Sequence, residues 1–226
     1  MIDNGEMVAI LPEVLESNVQ RAKHVARWIL GAPVTVKGDY KFPMNEMMFV
    51  YQDYFRQFIS PQNAAVAHEL FINPVEMDLF KDEGLPRTEK LCYIGKAPLF
   101  GKFEEKDFTK HMTHITRDFP MYYPKTRWEL SDLMKRAKAL YTYDSNTAIS
   151  IEARLSGCPV VIIEDERQKT SPKKDKPGFR LGFCYDDKGI DRARSELGDF
   201  RKFYESEIAK TKGQLWNFVK VTQNAV

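Results

Sequence analysis

Short apolar runs, separated by polar turns, recur along most of the chain and predict β-strands. The most apolar of them is Val160–Glu164 (VVIIE), which we expect to be a central strand that is buried on both faces. Other runs of the same kind predict strands at Met7–Leu11, Met47–Gln52, Ala65–Ile72, Leu91–Gly95 and Lys138–Tyr143.

Apolar residues at helical spacing predict helices in the segments around these runs. Val19–Leu30 carries Ala22, Ala26 and Ile29 at that spacing, follows the capping residue Asn18, and is predicted to be a helix. The other predicted helices are Arg127–Lys138, Thr147–Leu155 and Asp199–Val221. Alternation of strands and helices favours the α/β class, as a Rossmann-like parallel sheet with helices on both faces.

Composition narrows the class of protein further. The 226 residues are 43% hydrophobic and 29% charged, which suits one large folded domain or a domain with a fragment. A formal net charge of only +2 argues against nucleic acid as a partner. The three cysteines are far apart and predict reduced thiols. Neither a signal peptide nor an apolar run of about 18–20 residues is evident, so a cytoplasmic location is expected.

Residues Glu166–Gly178 (ERQKTSPKKDKPG) form a polar, basic segment rich in proline and lysine. This composition predicts a solvated surface loop. A mobile flap beside a bound ligand is the alternative interpretation.

The segment Ala139–Ile163 carries the most chemical information. A strand ends in the turn Asp144, Ser145, Asn146 and Thr147, and a short helix follows directly. In an open parallel sheet, ligands bind beyond the carboxyl ends of the strands, and the free N–H groups at a helix start attract phosphate. The turn is therefore a candidate phosphate-binding site.

A purely structural interpretation explains the same residues. Asp144 or Ser145 could serve only as a helix cap, and Glu152 could pair only with a nearby base such as Arg154. The pattern by itself leaves both interpretations open.

The segment resembles the donor-site signature of GT-B glycosyltransferases. Seven residues separate Asp144 from Glu152, and the matching residues that follow are Ala153, Gly157, Pro159 and Val160. The resemblance implies that Glu152 binds the nucleotide ribose and that the turn Ser145–Thr147 binds the diphosphate. It also implies that Asp144 lies near the donor sugar and that the chain has the fold of a GT-B carboxyl-terminal half.

A second resemblance involves Pro12–Leu30, which is similar to the passage between the two halves of some bacterial polysaccharide-type glycosyltransferases. Glu13, Arg27 and Trp28 carry it. It implies that residues 1–38 are a remnant of the amino-terminal half with a linker helix, and that residues 39–226 form a nucleotide-sugar-binding domain with a terminal helix. A complete enzyme of this type would carry an acceptor domain before Met1. A partner domain or a second copy of the chain is therefore expected to cover the apolar surface around Pro12–Leu30.

Two lysines are candidates for stabilising a nucleotide diphosphate leaving group. Lys96 follows the predicted strand Leu91–Gly95 directly, and Lys102 lies a few residues further on. Positive charge at these positions would stabilise the departing diphosphate. Enzymes of the resembled family do this without a metal, so neither a metal nor another cofactor is expected. Exposed surface lysines are the alternative interpretation.

The histidines do not predict a metal site. His111 and His114 form an HxxH pair, but zinc needs further ligands and none has convincing spacing. His68 lies at a predicted strand end, where it could line a cleft.

Together these features predict the donor-binding half of a glycosyltransferase that transfers a sugar from a nucleotide-sugar to a saccharide or lipid-linked acceptor in polysaccharide biosynthesis. The alternative is a non-catalytic nucleotide-sugar-binding module, or one subunit of a split enzyme. A nicotinamide-dependent oxidoreductase is disfavoured because no GxGxxG sequence follows the first strand. Peripheral membrane contact through the terminal helix is a further, minor expectation.

Overall fold

A computed structural model describes residues 7–15, 17–18, 21–31, 41–100, 103–117, 120–145, 147–163 and 177–225. The chain divides into two compact units. Unit 1 comprises Met1–Asn73 and Ser206–Val226, and unit 2 comprises Pro74–Glu205. Each unit contains one sheet in which every strand pair is parallel. The predicted α/β, Rossmann-like class with parallel sheets and flanking helices is confirmed.

The elements of unit 1 include β1 Val8–Pro12, β2 His24–Ile29, β3 Met47–Val50, α1 Pro61–Val66 and β4 His68–Glu69. The four strands form one sheet in chain order, β1-β2-β3-β4. One face packs against the 3₁₀ turn Asp53–Phe58 and against α1. On the other face, Ala26, Phe49 and Leu70 pack with Phe218 and Val221 of the terminal helix.

The predicted helix over Val19–Leu30 is wrong, because β2 occupies the last six residues before Leu30. β2 lies between β1 and β3, and both of its faces are covered: Ile29 packs with Phe55 and Ile59, and Ala26 packs with Phe218. A strand that is buried on both faces does not alternate apolar and polar residues, so the apolar spacing does not distinguish a helix from a strand here. Arg27 in β2 is fully buried, with Nε and Nη2 each donating at 2.8 Å to the carboxylate of Glu46. A charged residue in this segment is therefore not a sign of an exposed face, because the charge of Arg27 is buried together with that of Glu46.

The predicted strand Ala65–Ile72 is mostly helix and loop, with β4 limited to two residues. α1 begins after Ser60, whose Oγ accepts from the N–H of Asn63, and Pro61 is at the first helical position. A serine cap followed by proline is a local signal for a helix start. It was available in the sequence and outweighs the short apolar run.

The sheet of unit 2 has five strands, and their order across the sheet is Thr113–Ile115, Glu89–Tyr93, Ala137–Thr142, Val160–Ile162 and Phe183–Cys184, that is, β6-β5-β7-β8-β9 in chain numbering. Its strands confirm the predicted positions at Leu91–Gly95, Lys138–Tyr143 and Val160–Glu164 within a few residues. The strands are β5 Glu89–Tyr93, β6 Thr113–Ile115, β7 Ala137–Thr142, β8 Val160–Ile162 and β9 Phe183–Cys184, and the helices are α2 Arg127–Lys135, α3 Ala148–Leu155, α4 Pro177–Arg180, α5 Ile190–Ser195 and α6 Leu197–Gln223.

Local signals explain where α2 begins. Thr126 Oγ1 accepts from the N–H of Glu129, and the Glu129 side chain accepts from the N–H of Thr126, so the two residues form a capping box. Leu130 and Met134, one turn apart, are completely buried. The cap and the apolar face together place Arg127 in the first turn of the helix.

The division of the chain at Asn73 differs from the predicted boundary after residue 38. β3 and β4 pair in turn onto β2, and this pairing joins residues 47–69 to the same sheet as β1. The predicted surface loop Glu166–Gly178 lies, apart from its last two residues, outside the described part of the chain. In the described residues, no helix has both the length and the apolar character needed to cross a membrane.

Candidate functional site

The strand order of unit 2 contains a topological switch point between β5 and β7. From β5 the chain passes to β6 on one side, and from β6 it returns across β5 to β7 on the other. The connections that follow β5 and β7 therefore run to opposite sides along the sheet. Ligands of open parallel sheets bind at such a point, outside the carboxyl ends of the strands.

The structure brings the predicted residues Lys96 and Asp144 together at this point. The N–H of Lys96 donates to Oδ2 of Asp144 at 3.1 Å. Gly95, which directly precedes Lys96, has a φ of 58°, and an added Cβ there would be 2.7 Å from Cβ of Asp144. The Asp144 carboxylate thus holds the two loops close together, while the Lys96 side chain is exposed.

The predicted phosphate-binding turn occupies the start of α3. Thr147 is the N-cap residue, and its side chain makes no capping hydrogen bond to the helix. Its Oγ1 instead donates at 3.5 Å to the carbonyl of Asp144. Ser145 is buried. Asn146 and Lys102 lie outside the described residues.

Glu152 is the most constrained of the predicted site residues. It lies on α3 with only 1% of its surface exposed. Its Oε1 accepts from Nη2 of Arg127 at 2.9 Å, and its Oε2 has no hydrogen-bond partner among the described residues. Burial raises the pKa of Glu152, and the charges of Arg127 and Arg117 oppose that shift. A buried carboxylate oxygen without a donor is an available acceptor.

Arg127 connects Glu152 to the segment that leads into β5. Its Nε lies 2.8 Å from Oε1 of Glu76, and its guanidinium lies over the ring of Phe80 at 5.1 Å. Because α2 runs back from the carboxyl edge of the sheet, its first turn and the start of α3 lie at the same edge. Arg127 therefore supplies a fixed positive charge there.

A second arginine, Arg117, follows β6 and also lies at this edge. Its Nη1 donates at 2.9 Å to the carbonyl of Pro124, and its buried Nη2 has no partner among the described residues. Burial lowers the pKa of this guanidinium, while the charge of Glu152 acts in the opposite direction. An available donor of Arg117 and an available acceptor of Glu152 thus occur in one electrostatically coupled group.

Arg154 is not the partner of Glu152 that the structural interpretation suggested. Its guanidinium is buried between the rings of Phe183 and Phe200, at 4.1 and 3.7 Å from their centroids. Its nitrogens donate to three backbone carbonyls, those of Ser150, Phe179 and Leu181. Arg154 is a structural residue of the core, and Glu152 pairs with Arg127 instead.

Sequence reasoning missed the two arginines of the site. Arg117 lies two residues after the strand Thr113–Ile115, and this three-residue strand is too short to stand out in the pattern. Arg127 follows Thr126, and the spacing Thr126–Glu129 is a capping-box signature that marks a helix start. This second signal was available from the sequence alone.

A cavity of about 650 Å³ lies elsewhere, at the amino-terminal ends of β5 and β6. Among the residues that line it, Lys90 and Asp187 are ion-paired at 2.9 Å, and the Tyr141 hydroxyl donates to Asp187 at 2.6 Å. These groups satisfy one another, and none of the predicted site residues that the structure describes lines this cavity. We therefore place the candidate site at the carboxyl edge.

The residues that carried the second resemblance have structural contacts within unit 1. Glu13 accepts from the N–H of Leu30 at 3.0 Å, and Trp28 Nε1 donates to the carbonyl of Leu70 at 3.2 Å. His68, the predicted cleft residue, has its ring 5.8 Å from that of Phe49. These contacts order the sheet of unit 1.

Comparison of the sequence with known protein families finds no matching family model, and comparison with curated proteins finds no match either. The functional argument therefore depends on the fold and on the geometry of the carboxyl edge.

Proposed function

We propose that unit 2 binds the nucleotide part of an activated sugar, and that the protein is the donor-binding half of a glycosyltransferase acting on a saccharide or lipid-linked acceptor. The observation that carries the proposal is the buried carboxylate of Glu152, one oxygen of which pairs with Arg127 while the other has no partner among the described residues. It lies beside a topological switch point, as expected for a nucleotide site.

Ribose hydroxyls suit Glu152 because a carboxylate only accepts hydrogen bonds and hydroxyls donate them. Arg127 keeps Oε1 occupied and so leaves Oε2 for the ligand. A ligand hydroxyl that reaches Oε2 would satisfy an acceptor that is otherwise costly to bury. This arrangement supports the ribose role that the resemblance implied for Glu152.

The diphosphate suits the positive groups of the same edge. The exposed side chain of Lys96 follows β5, and Arg117, which has an available donor, follows β6. The first turn of α3 lies at the same edge of the sheet. Backbone N–H groups in the first turn of a helix attract phosphate. In this proposal these groups stabilise the diphosphate without a metal ion.

Titration calorimetry with UDP, GDP, ADP and CMP and with their sugar conjugates tests the proposal. We expect one of these series to bind, and Glu152→Gln to weaken that binding by about 10- to 100-fold, since a hydrogen bond to a charged group contributes about 1.5–3 kcal/mol. The control is Glu207→Gln, which alters another mostly buried, ion-paired acid in unit 1. Unchanged affinity of Glu152→Gln would remove this residue from the site.

One observation favours the alternative of a binding module without catalysis. Oδ2 of Asp144 accepts from the N–H of Lys96, so this carboxylate already has a structural role in the loops. Release of nucleotide diphosphate from the bound donor separates the two possibilities. Acceptor-dependent release supports a transferase, whereas tight binding without release in the presence of oligosaccharide and lipid-linked acceptors supports a module.

Self-association and a partner acceptor domain stay predictions. Light scattering of the isolated chain tests self-association, because it measures the mass of the particle in solution.

A further inference from the structure

Three potential metal ligands converge on one face of the sheet of unit 2. This is the face on which Cys92 belongs to the same apolar cluster as Ala193 of α5. Cys92 on β5 and His114 on β6 are register partners, so their side chains lie on the same face. Glu105 approaches from the loop that precedes the 3₁₀ turn Asp107–Thr109. The ligand atoms of the three residues all lie within 4.8 Å of one another.

The ring of His114 is oriented as in a metal ligand. Its Nδ1 lies 3.0 Å from the carbonyl of Met112, and because a carbonyl only accepts, Nδ1 must carry the hydrogen. The other nitrogen, Nε2, points to Oε1 of Glu105 at 2.7 Å. Histidines that bind metals usually donate their second N–H to a carbonyl or carboxylate in this way. At 2.7 Å these two atoms share one hydrogen bond, and a metal ion bound to both would replace its proton and move the two atoms apart.

A second layer of hydrogen bonds holds the carboxylate in place. Thr109 Oγ1 lies 2.9 Å from Oε1 of Glu105 and 2.9 Å from the hydroxyl of Tyr143, and that hydroxyl accepts from the N–H of Lys106. Thr109 is completely buried. The loop that carries Glu105 is thus anchored to the end of β7, and outer contacts of this kind fix a ligand for metal binding.

The donor set suits zinc. Thiolate, imidazole and carboxylate are its usual ligands, and a tetrahedral ion at the usual bond lengths separates its ligand atoms by about 3.4–3.6 Å. Shifts of about 1 Å would therefore bring Cys92, Glu105 and His114 to this geometry. Cys92 is fully buried, whereas the side chains of Glu105 and His114 are 20% and 29% exposed, which gives an ion a path from solvent.

We propose that Cys92, Glu105 and His114 bind one zinc ion, with water in the fourth position. Residue spacing does not predict this site, because the HxxH pair directs attention to His111, which is exposed and not part of the group. The ion would join β5, β6 and the loop of Glu105. This site is independent of the proposed nucleotide function.

Cobalt replacement tests the site directly. The full chain is treated with a chelator, dialysed, and titrated with Co²⁺ while the near-ultraviolet thiolate-to-cobalt absorption is recorded. In a second sample, zinc is added instead of cobalt, the excess is removed by dialysis, and the bound zinc is counted by mass spectrometry. We expect one ion per chain, a thiolate band in the wild type, and loss of that band in Cys92→Ser. His114→Gln and Glu105→Gln should each weaken binding by at least about 100-fold.

Matched variants separate the site from general effects on folding. Cys184→Ser alters another buried cysteine of the same apolar cluster, and His111→Gln alters the neighbouring exposed histidine. Both should bind cobalt and zinc like the wild type, and circular dichroism reports whether each variant folds. Failure of the wild type to bind one equivalent, or equal binding by Cys92→Ser and Cys184→Ser, would overturn the proposal and leave the group as an ordinary hydrogen-bond network.

Discussion

At the scale of the residue, Gly95 determines how closely the two loops of the switch point approach. Its φ of 58° is a left-handed conformation, and a Cβ there would be 2.7 Å from Cβ of Asp144 and 2.8 Å from Cε1 of Tyr93. Glycine is required both for the backbone conformation and for space. The Lys96–Asp144 contact depends on this close approach.

We expect Gly95→Ala to lower the free energy of unfolding by about 2–4 kcal/mol, because backbone strain and steric overlap add. Gly84 is a matched control: its φ is 65°, but nothing lies within 4 Å of an added Cβ. Gly84→Ala should therefore cost only the strain, about 1–2 kcal/mol. Urea unfolding measures both. Equal losses of unfolding free energy would show that Asp144 moves away from the added methyl group without a measurable loss of stability.

Arg154 illustrates a buried charge satisfied by backbone carbonyls and aromatic rings. We expect Arg154→Ala to lower the free energy of unfolding by about 3–5 kcal/mol, because three carbonyls lose their donor and a cavity forms between Phe183 and Phe200. Arg136→Ala removes only an exposed ion pair with Asp132 and should cost about 0.5 kcal/mol. Comparable losses in thermal unfolding would contradict a core role for Arg154.

At the scale of the element, the caps of α2 and α3 differ although both are threonines. Thr126 accepts from the N–H of Glu129, whereas Thr147 makes no capping hydrogen bond with its side chain. The cap of α2 has a structural role and places Arg127 at the carboxyl edge. The hydroxyl of Thr147 has no such role, and this agrees with the ligand contact expected of the turn.

We expect Thr126→Ala to lower the free energy of unfolding by about 1 kcal/mol, the usual contribution of an N-cap. Thr147→Ala should change it by less than about 0.5 kcal/mol, because no capping bond is lost. If the proposed site is correct, the order reverses for nucleotide affinity, which Thr147→Ala should reduce more. A larger stability loss for Thr147→Ala than for Thr126→Ala would contradict this assignment of the caps.

At the scale of the whole molecule, the chain builds two cores, and α6 contributes to both. Phe200, fully buried, belongs to unit 2, and Phe218 packs in unit 1 against Phe49 at 4.8 Å between ring centroids. Gln214 accepts from the N–H of Phe71 and strengthens the same attachment in unit 1. One helix therefore completes two separate hydrophobic clusters.

Hydrogen exchange can test this division with two variants of the same helix. We expect Phe218→Ala to cost about 2–3 kcal/mol and to reduce protection in β2 and β3, and Phe200→Ala to cost about 3–5 kcal/mol and to reduce it in β7 and β8. Mass spectrometry of peptides from the two sheets measures the difference. Equal loss of protection in both sheets for both variants would mean that the cores unfold as one cooperative unit.

The sequence by itself determined the α/β class and most elements of unit 2. β7, β8, α2 and α3 follow from local information, because a buried strand needs an apolar run and a helix needs spacing, caps and turns. The resemblance carried by Asp144 and Glu152 also directed attention to Glu152, which the structure buries with one available oxygen.

Only the tertiary structure decided the features that depend on pairing across the chain. β2 is a strand because it pairs with β1 on one side and β3 on the other, and the charge of Arg27 is buried together with that of Glu46, 19 residues away. The approach of Arg117 and Arg127 to Glu152 depends likewise on strand order. Sequence spacing encodes contacts within one element, whereas strand order and register arise from the packing of many residues distant in the chain.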